Sequence, residues 1–265
     1  MDKISIHYFT GSYGVQLAYR EIGQGRPLLL FHGFMGTAQQ AWVNNGYAAK
    51  MAALGHRVIL PDLRGHGDSA KPHEAAAYPA DVLADDGFAL LEQLGIAEYD
   101  LGGYSLGARV ALRMLVRRAA AGKAILAGQG LDTLSRATER TVRNQHILSH
   151  FGMFESGSPE WTWENWVRKS GSDPLALLYV LGTFVDTPVE ALAQIKAAVL
   201  VITGTEDYEH AFADKLAALL ANGRYEAVSG NHMSAFTNPK FMAMIIDFLE
   251  SAPNQMTGSN STPGI

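Results

Sequence analysis

A serine stands between glycines in the stretch "YDLGGYSLGARVALRML", residues 99–115, where a short apolar run gives way to a helical pattern. Gly103 and Gly107 lie two positions before and after Ser105, which gives the pattern G-x-S-x-G. A strand that turns directly into a helix strains the residue at the bend and projects its side chain outward, so Cβ atoms two positions away would collide. The spacing therefore predicts an exposed hydroxyl at the positive end of a helix, suited to attack on a carbonyl carbon.

A nucleophilic serine needs a base to accept its proton and an acid to orient that base. Histidine is the commonest general base, and the chain has nine histidines, so their positions must decide among them. His146 and His150 are four residues apart, but no carboxylate completes a zinc-protease pattern around them. The chain has no cysteine, which excludes thiolate catalysis, disulfides and zinc–sulfur sites. We therefore predict no metal site and no cofactor.

The composition favours a folded enzyme that acts on a small molecule. Hydrophobic residues make up 48% of the 265 residues, and the formal net charge is −5 without any run of basic residues, so nucleic-acid binding is not expected. The first residues, "MDKISIHYFTGS", show no signal peptide, and the longest apolar runs are far shorter than the roughly 20 residues of a membrane span. We expect a soluble cytoplasmic protein that does not bind membranes, and we leave a homodimer open.

Short apolar runs alternate with amphipathic helical patterns along most of the chain, which predicts an α/β fold with a doubly wound, mostly parallel sheet. The first two strands form an antiparallel hairpin separated by the turn residues "TGSYG". One helix is predicted over residues 37–54. The predicted strands cover residues 4–9, 15–23, 26–34, 56–63, 99–105, 123–130, 197–204 and 225–230.

The alternation breaks between residues 131 and 193, where the sequence is helical in character and holds three of the four tryptophans. We interpret 131–193 as a helical cap over the carboxyl ends of the strands, the side where open α/β sheets bind ligands. Residues 1–130 and 194–252 then form the core. The stretch 253–265 is predicted to be a disordered tail.

Two further stretches precede the glycine-flanked serine, "FHGFMG" and "PDLRGHGDS", and two follow it, "GTEDY" and "SGNHMSAF". With the "GYSLG" stretch, their order and placement resemble the α/β-hydrolase superfamily, and within it a serine-esterase-like branch. The resemblance implies a sheet of about eight strands with a small helical cap.

The resemblance also implies a catalytic triad in the chain order Ser, acid, His. Ser105 is then the nucleophile, and His232, between the last strand and the final helix, is the base. Asp207, just past the strand at 197–204, is our choice for the acid. Its neighbour Glu206 remains an alternative. Asp132 is a second alternative, because some members place the acid after the preceding strand.

An oxyanion formed during acyl transfer requires hydrogen-bond donors, and the resemblance assigns two backbone N–H groups to that role. These belong to Leu106, the residue after the nucleophile, and to Phe34 in the loop after the third strand. His32 is expected to hold that loop rather than to react. Asp68 is expected to be part of a scaffold behind the site.

Several reactions are known among members of this superfamily. Haloalkane dehalogenases and epoxide hydrolases place aspartate where Ser105 stands, and carbon–carbon bond hydrolases commonly place tryptophan where Met233 stands. A pyruvate-eliminating lyase of menaquinone synthesis is a closer rival, because an arginine at the position of Arg109 helps bind its carboxylate-rich substrate. A non-enzymatic binder on this fold is a further alternative.

The tryptophans of the cap indicate a large apolar or aromatic group in the substrate, although they could equally fix the cap to the core. The candidate substrate-binding residues are Trp161, Trp163, Trp166 and Arg109. The sequence thus predicts a serine hydrolase that cleaves carboxylic esters or lactones through an acyl-enzyme.

Overall fold

The computed structural model describes residues 4–136 and 138–251. In these ranges eight strands form one sheet in the order β1-β2-β4-β3-β5-β6-β7-β8. The pairs β1–β2 and β2–β4 are antiparallel, and all other neighbouring strands are parallel. The predicted fold class, a doubly wound and mostly parallel sheet, is confirmed. The strands are β1 Ile6–Thr10, β2 Gln16–Ile22, β3 Arg26–Phe31, β4 His56–Pro61, β5 Tyr99–Tyr104, β6 Ala121–Ala127, β7 Ala198–Gly204 and β8 Gly223–Val228.

The parallel strands are buried on both faces, which explains their unbroken apolar runs. Every residue of β5 is buried, as are Leu28–Phe31 of β3 and Val199–Gly204 of β7. Helices α2, α3 and α8 cover one face of the sheet, and α1 and α10 cover the other. The helices are α1 Tyr47–Ala53, α2 Val82–Gln93, α3 Leu106–Val116, α4 Glu139–Ser149, α5 Pro159–Ser170, α6 Pro174–Gly182, α7 Val189–Leu192, α8 Ala213–Leu219, α9 His232–Thr237 and α10 Pro239–Glu250.

The single helix expected over residues 37–54 is instead divided into two pieces. A π-helical turn covers Gln39–Val43, and α1 begins only after Gly46, whose φ of 70° interrupts the right-handed helix. Trp42 lies in the π-helical turn and packs, almost fully buried, against the ring of Phe236. The prediction of one continuous helix was therefore wrong.

Residues 131–193, which we call the cap segment, contain a 3₁₀ turn at Leu131–Leu134 followed by α4 to α7. Leu148, Val167 and Leu177 from α4, α5 and α6 form a small apolar cluster that packs against Phe34 and Met35 of the core. The cap segment therefore lies over the loop that follows β3. The predicted tail, 253–265, lies outside the described residues. None of the described helices is long and apolar enough to cross a membrane.

Candidate active site

Ser105 occupies the bend between β5 and α3 with φ 55° and ψ −115°, a backbone conformation that non-glycine residues seldom adopt. The two flanking glycines allow this bend. A Cβ on Gly103 would lie 2.3 Å from the carbonyl carbon of Gly107, and a Cβ on Gly107 would lie 2.3 Å from the carbonyl oxygen of Phe31. Backbone atoms so close cannot move aside cheaply, so glycine is required at both positions.

Asp207 and His232 are brought together by the turns that follow β7 and β8. Asp207 Oδ2 accepts a hydrogen bond from His232 Nδ1 at 2.6 Å, and the carboxylate is buried. His232 is the first residue of α9, whose N-terminus is closed by a capping box between Asn231 and Ser234. The Tyr104 hydroxyl also donates to the His232 carbonyl. These contacts fix the imidazole with Nδ1 directed at Asp207, and Nε2 has no hydrogen-bond partner within residues 4–136 and 138–251.

Ser105 and His232 line the same cavity, and a Cβ on Gly128 would lie 2.9 Å from the His232 ring. No hydrogen bond joins the Ser105 hydroxyl to the His232 ring within residues 4–136 and 138–251. In ligand-free enzymes this bond is often long and shortens only when substrate is bound. The structure thus brings Ser105 and His232, the predicted nucleophile and base, to the lining of one cavity.

The backbone N–H groups of Phe34 and Leu106 have no acceptor in the described part of the chain. A Cβ on Gly33 would lie 3.5 Å from the Ser105 Cβ, so the loop that carries Phe34 lies against the serine. His32 holds this loop, because its Nε2 accepts from the Leu63 N–H at 3.0 Å and its Nδ1 donates to the Gly33 carbonyl at 2.8 Å. Burial lowers the pKa of His32, so the imidazole stays neutral.

The two alternative acids do not contact the imidazole. Glu206 is exposed and forms no hydrogen bond with His232, and Asp132 lies in the 3₁₀ turn at the start of the cap segment. The Asp207 carboxylate alone bonds His232 among the described acidic residues. Burial raises the pKa of Asp207, but hydrogen bonds from His210 and His232 outweigh this effect and hold the pKa well below its usual value. Asp207 is therefore ionised at neutral pH.

His210 is a component of the site that the sequence reasoning missed. Its Nδ1 donates to Asp207 Oδ1 at 2.8 Å, while the other carboxylate oxygen accepts from His232. The imidazole rings of His210 and His232 stack with centroids 4.0 Å apart and planes 12° from parallel. Burial lowers the pKa of His210 to about 4, so its ring is neutral at pH 7. The signal was the spacing Asp-x-x-His in a 3₁₀ turn, where side chains three residues apart lie on the same side.

Asp207, His210 and His232 form the one cluster of potential metal ligands found among the described residues, with their ligand atoms within 4.8 Å of each other. A histidine coordinates a metal in the plane of its ring. Two nearly parallel stacked rings cannot both place one ion in their planes, and both Nδ1 atoms already donate to the carboxylate. The arrangement fits a hydrogen-bonded acid–base group rather than a metal centre.

The cavity at this site has a volume of about 720 Å³. Its wall includes Phe34, Leu106, Trp163, Trp166 and Arg109 in addition to Ser105 and His232. Trp161 is not among the lining residues, so the structure does not support its predicted contact with substrate. Tryptophans 163 and 166 are three residues apart on α5 and share a helix face, whereas Trp161 lies on another side.

Arg109 lies on α3 with only 9% of its surface exposed. Its guanidinium donates to the carbonyls of Thr133 at 2.9 Å and Ser135 at 2.5 Å, and it stacks 4.5 Å from the centre of the Phe184 ring. Burial lowers the pKa of Arg109 to about 10, with further lowering from the nearby Arg140 and Arg113. The group nevertheless keeps its positive charge at neutral pH.

Comparison with known proteins agrees with this architecture. Epoxide hydrolase 2 of Siraitia grosvenorii is 34% identical over 112 residues, which are 42% of this chain and 34% of that protein. The 2-hydroxymuconate semialdehyde hydrolase of Pseudomonas sp. (strain CF600) is 36% identical over 104 residues, 39% of this chain and 36% of that protein. The matched segment thus spans about a third of the length of each relative.

Among solved structures, the esterase RhEst1 from Rhodococcus sp. ECU1013 superposes with a TM-score of 0.72 at 25% identity, covering 94% of this chain and 99% of that one. The sequence model of the α/β hydrolase fold matches residues 26–181, more than half of the 265 residues. Together with the sheet order and the helices on both of its faces, these matches show that the chain belongs to the α/β-hydrolase family.

Proposed function

We propose that this protein is a serine hydrolase that cleaves carboxylic esters or lactones through an acyl-enzyme. One observation carries the proposal: the 2.6 Å hydrogen bond from His232 Nδ1 to Asp207 leaves Nε2 as the available ring nitrogen of a histidine that lines the same cavity as Ser105. An oriented imidazole and a serine at a strained bend, which line one cavity, are the components that acyl transfer requires.

In the first half of the reaction, Ser105 Oγ attacks the carbonyl carbon while His232 Nε2 accepts its proton. Asp207 stabilises the resulting imidazolium through Nδ1–H. The N–H groups of Phe34 and Leu106 donate to the oxyanion. His232 then gives the proton to the departing alkoxide, which leaves an acyl group on Ser105.

In the second half, His232 takes a proton from a water molecule that attacks the acyl carbon, and it returns this proton to Ser105 Oγ as the acid departs. In a lactone the leaving alkoxide remains tethered to the acyl group, so the product is one hydroxy acid. The indole rings of Trp163 and Trp166 offer an apolar wall for the carbon skeleton of either substrate.

Serine at position 105 argues against the epoxide-opening chemistry named for one relative, because the superfamily resemblance assigns that reaction to an aspartate nucleophile. Met233, in place of a tryptophan after the base, argues against carbon–carbon bond hydrolysis. A pyruvate-eliminating lyase remains the second candidate, and the buried Arg109 in the cavity wall is the observation that favours it.

The test compares wild type, Ser105→Ala and Ser170→Ala on p-nitrophenyl esters and on lactones. Ser170 also lines the cavity, so its substitution removes a hydroxyl without touching the nucleophile. We expect turnover in wild type and Ser170→Ala and its loss in Ser105→Ala, together with loss of covalent labelling by a fluorophosphonate. Ester turnover that persists in Ser105→Ala would refute the proposal. Elimination from a succinyl-cyclohexadiene substrate without ester turnover would establish the lyase instead.

A further inference from the structure

Both oxygens of the Asp207 carboxylate accept hydrogen bonds from imidazole rings. Oδ2 accepts from His232 Nδ1 at 2.6 Å, and Oδ1 accepts from His210 Nδ1 at 2.8 Å. No other hydrogen-bond donor reaches this buried carboxylate within residues 4–136 and 138–251. The χ2 torsion of an aspartate is broad, so a single donor would leave the carboxylate free to rotate. The two imidazoles together fix its orientation.

His210 reaches the carboxylate because the chain after β7 closes a 3₁₀ turn over Tyr208–His210. The His210 N–H donates to the Asp207 carbonyl at 3.2 Å, which brings side chains three residues apart to one side of the turn. Gly130, in the segment after β6, packs against the backbone of this turn, since a Cβ there would lie 2.4 Å from the His210 carbonyl oxygen. Backbone contacts therefore hold His210 in place together with its side-chain hydrogen bond.

Packing alone does not account for a histidine at position 210. The residue is 2% exposed, and its Nε2 is sealed from solvent without a hydrogen-bond partner in the described part of the chain. An unpaired buried polar atom costs free energy that a phenylalanine of similar shape would avoid. Nδ1, in contrast, donates to Asp207. This donor is the property that distinguishes histidine from an apolar ring at this position.

The ring of His210 also lies flat on the ring of His232, with centroids 4.0 Å apart and planes 12° from parallel. Two cationic imidazoles at this distance would repel each other. Burial lowers the pKa of His210 to about 4, so this ring is neutral at pH 7 when His232 takes up a proton. His210 can therefore support the His232 imidazolium without adding a second positive charge beside it.

We infer that His210 is a positioning residue of the catalytic triad, which holds the Asp207 carboxylate in the orientation that directs the His232 imidazole for proton transfer with Ser105. This inference rests on the proposed function and adds a residue to its site. The His210 ring keeps its proton throughout the reaction, and no covalent bond to it forms or breaks. Because its hydrogen bond is in place before the proton moves, it supports the charged transition state without reorganisation.

The experiment measures kcat and KM for a p-nitrophenyl ester with two variants that separate the contacts of His210. His210→Phe keeps a flat ring against His232 and removes the donor to Asp207. His210→Asn removes the ring but keeps an N–H donor in the place of Nδ1, since both nitrogens are attached to Cγ.

His210→Phe should lower kcat by about 10-fold to 100-fold, the factor that corresponds to a hydrogen bond with a charged group. KM should change little, because His210 is not among the residues that line the cavity. His210→Asn should recover part of kcat by restoring a donor to Asp207 Oδ1. Equal kcat values for the two variants would overturn the assignment to the hydrogen bond.

His56→Phe is the matched control, because His56 is also a buried histidine with an unpaired ring nitrogen. It begins β4, and the parallel pairing of β4, β3 and β5 places this end of β4 at the opposite edge of the sheet from Ser105. We expect its kcat to match wild type. A loss in His56→Phe as large as in His210→Phe would indicate a general effect of replacing buried histidines and would overturn the inference.

A double-mutant cycle tests whether His210 acts through Asp207. In the Asp207→Ala background no carboxylate remains to be held, so adding His210→Phe should leave kcat nearly unchanged. If His210→Phe lowers kcat by the same factor in both backgrounds, the two residues act independently and the positioning role is refuted.

A measurement on wild type alone does not depend on how the variants fold. Nitrogen–proton correlation spectra of the assigned His210 ring report which nitrogen carries the proton. We expect the neutral tautomer protonated on Nδ1 at neutral pH, because only this tautomer donates to the Asp207 carboxylate. A neutral ring protonated on Nε2 would overturn the inference.

The outcomes separate this inference from the proposed function. A wild-type kcat in His210→Phe would overturn the inference while ester turnover and fluorophosphonate labelling of wild type leave the serine-hydrolase proposal standing. Absence of both turnover and labelling in wild type would instead contradict the proposed function, and the positioning role with it.

Discussion

Replacing His210 with phenylalanine is expected to remove a specific part of the pH dependence of folding stability. His210 is 2% exposed, and burial lowers its pKa to about 4 from the ordinary value of 6.5. Between these two pH values the unfolded chain binds a proton that the folded chain does not. The His210 contribution to stability is therefore complete above pH 6.5 and is lost as the pH falls from 6.5 toward 4.

The linkage relation gives the size of this loss. For a pKa of about 4 in the folded state and 6.5 in the unfolded state, the free energy of unfolding falls by about 2 kcal/mol between pH 8 and pH 5. His66 has a pKa lowered to about 3 by burial and by nearby His32, and it adds its own loss over the same range. That loss is common to wild type and variant, so the difference between the two proteins isolates His210.

Phenylalanine keeps a flat ring against His232 but removes the Nδ1–H that donates to Asp207. It also removes the buried Nε2, which has no partner in the described chain. A lost charge-assisted hydrogen bond costs about 1.5–3 kcal/mol, and a removed unpaired polar atom offsets part of that cost. At any one pH, the difference in unfolding free energy between variant and wild type contains both the lost hydrogen bond and the removed polar atom. The change in unfolding free energy between pH 8 and pH 5 is therefore the quantity to measure.

The assay is urea unfolding followed by tryptophan fluorescence at pH 8, 7, 6 and 5. We expect the stability of His210→Phe to fall by about 2 kcal/mol less than that of wild type over this range. His150→Phe is the matched control, since it makes the same substitution at an exposed histidine of the cap segment, far along the chain from Asp207. If His210→Phe loses as much stability as wild type between pH 8 and pH 5, His210 is not a buried neutral imidazole and the reasoning fails.

Other changes test the remaining contacts. Asp207→Asn should lower kcat by about 10³–10⁴-fold with little change in KM, because the amide no longer stabilises the imidazolium; equal kcat in steady-state assays would contradict the triad. Gly107→Ala should lower the unfolding free energy by about 2–4 kcal/mol, since its Cβ would lie 2.3 Å from the Phe31 carbonyl oxygen, and urea unfolding measures this. Arg64→Met should cost about 3–5 kcal/mol by leaving Asp86 buried without its partner, and the double variant with Asp86→Leu should recover part of the loss.

Much of the fold could be predicted from the sequence because burial on both faces of a parallel sheet leaves a direct pattern. Runs such as residues 197–204 are apolar without alternation, and in the structure this run forms strand β7, Ala198–Gly204. The interruption near Gly46 could not be predicted in the same way. Trp42, in the turn before Gly46, packs on the ring of Phe236, a contact between segments almost 200 residues apart that no local pattern records.

The candidate triad could be selected because the α/β-hydrolase resemblance implies the order Ser, acid, His, and Ser105, Asp207 and His232 lie at or after the ends of predicted strands. His210 was missed, because the Asp-x-x-His spacing brings it to Asp207 only when the chain closes a 3₁₀ turn, and its stacking on His232 depends on the tertiary fold. Helical geometry could have separated the tryptophans: at 100° per residue, Trp161 cannot share a face with both Trp163 and Trp166.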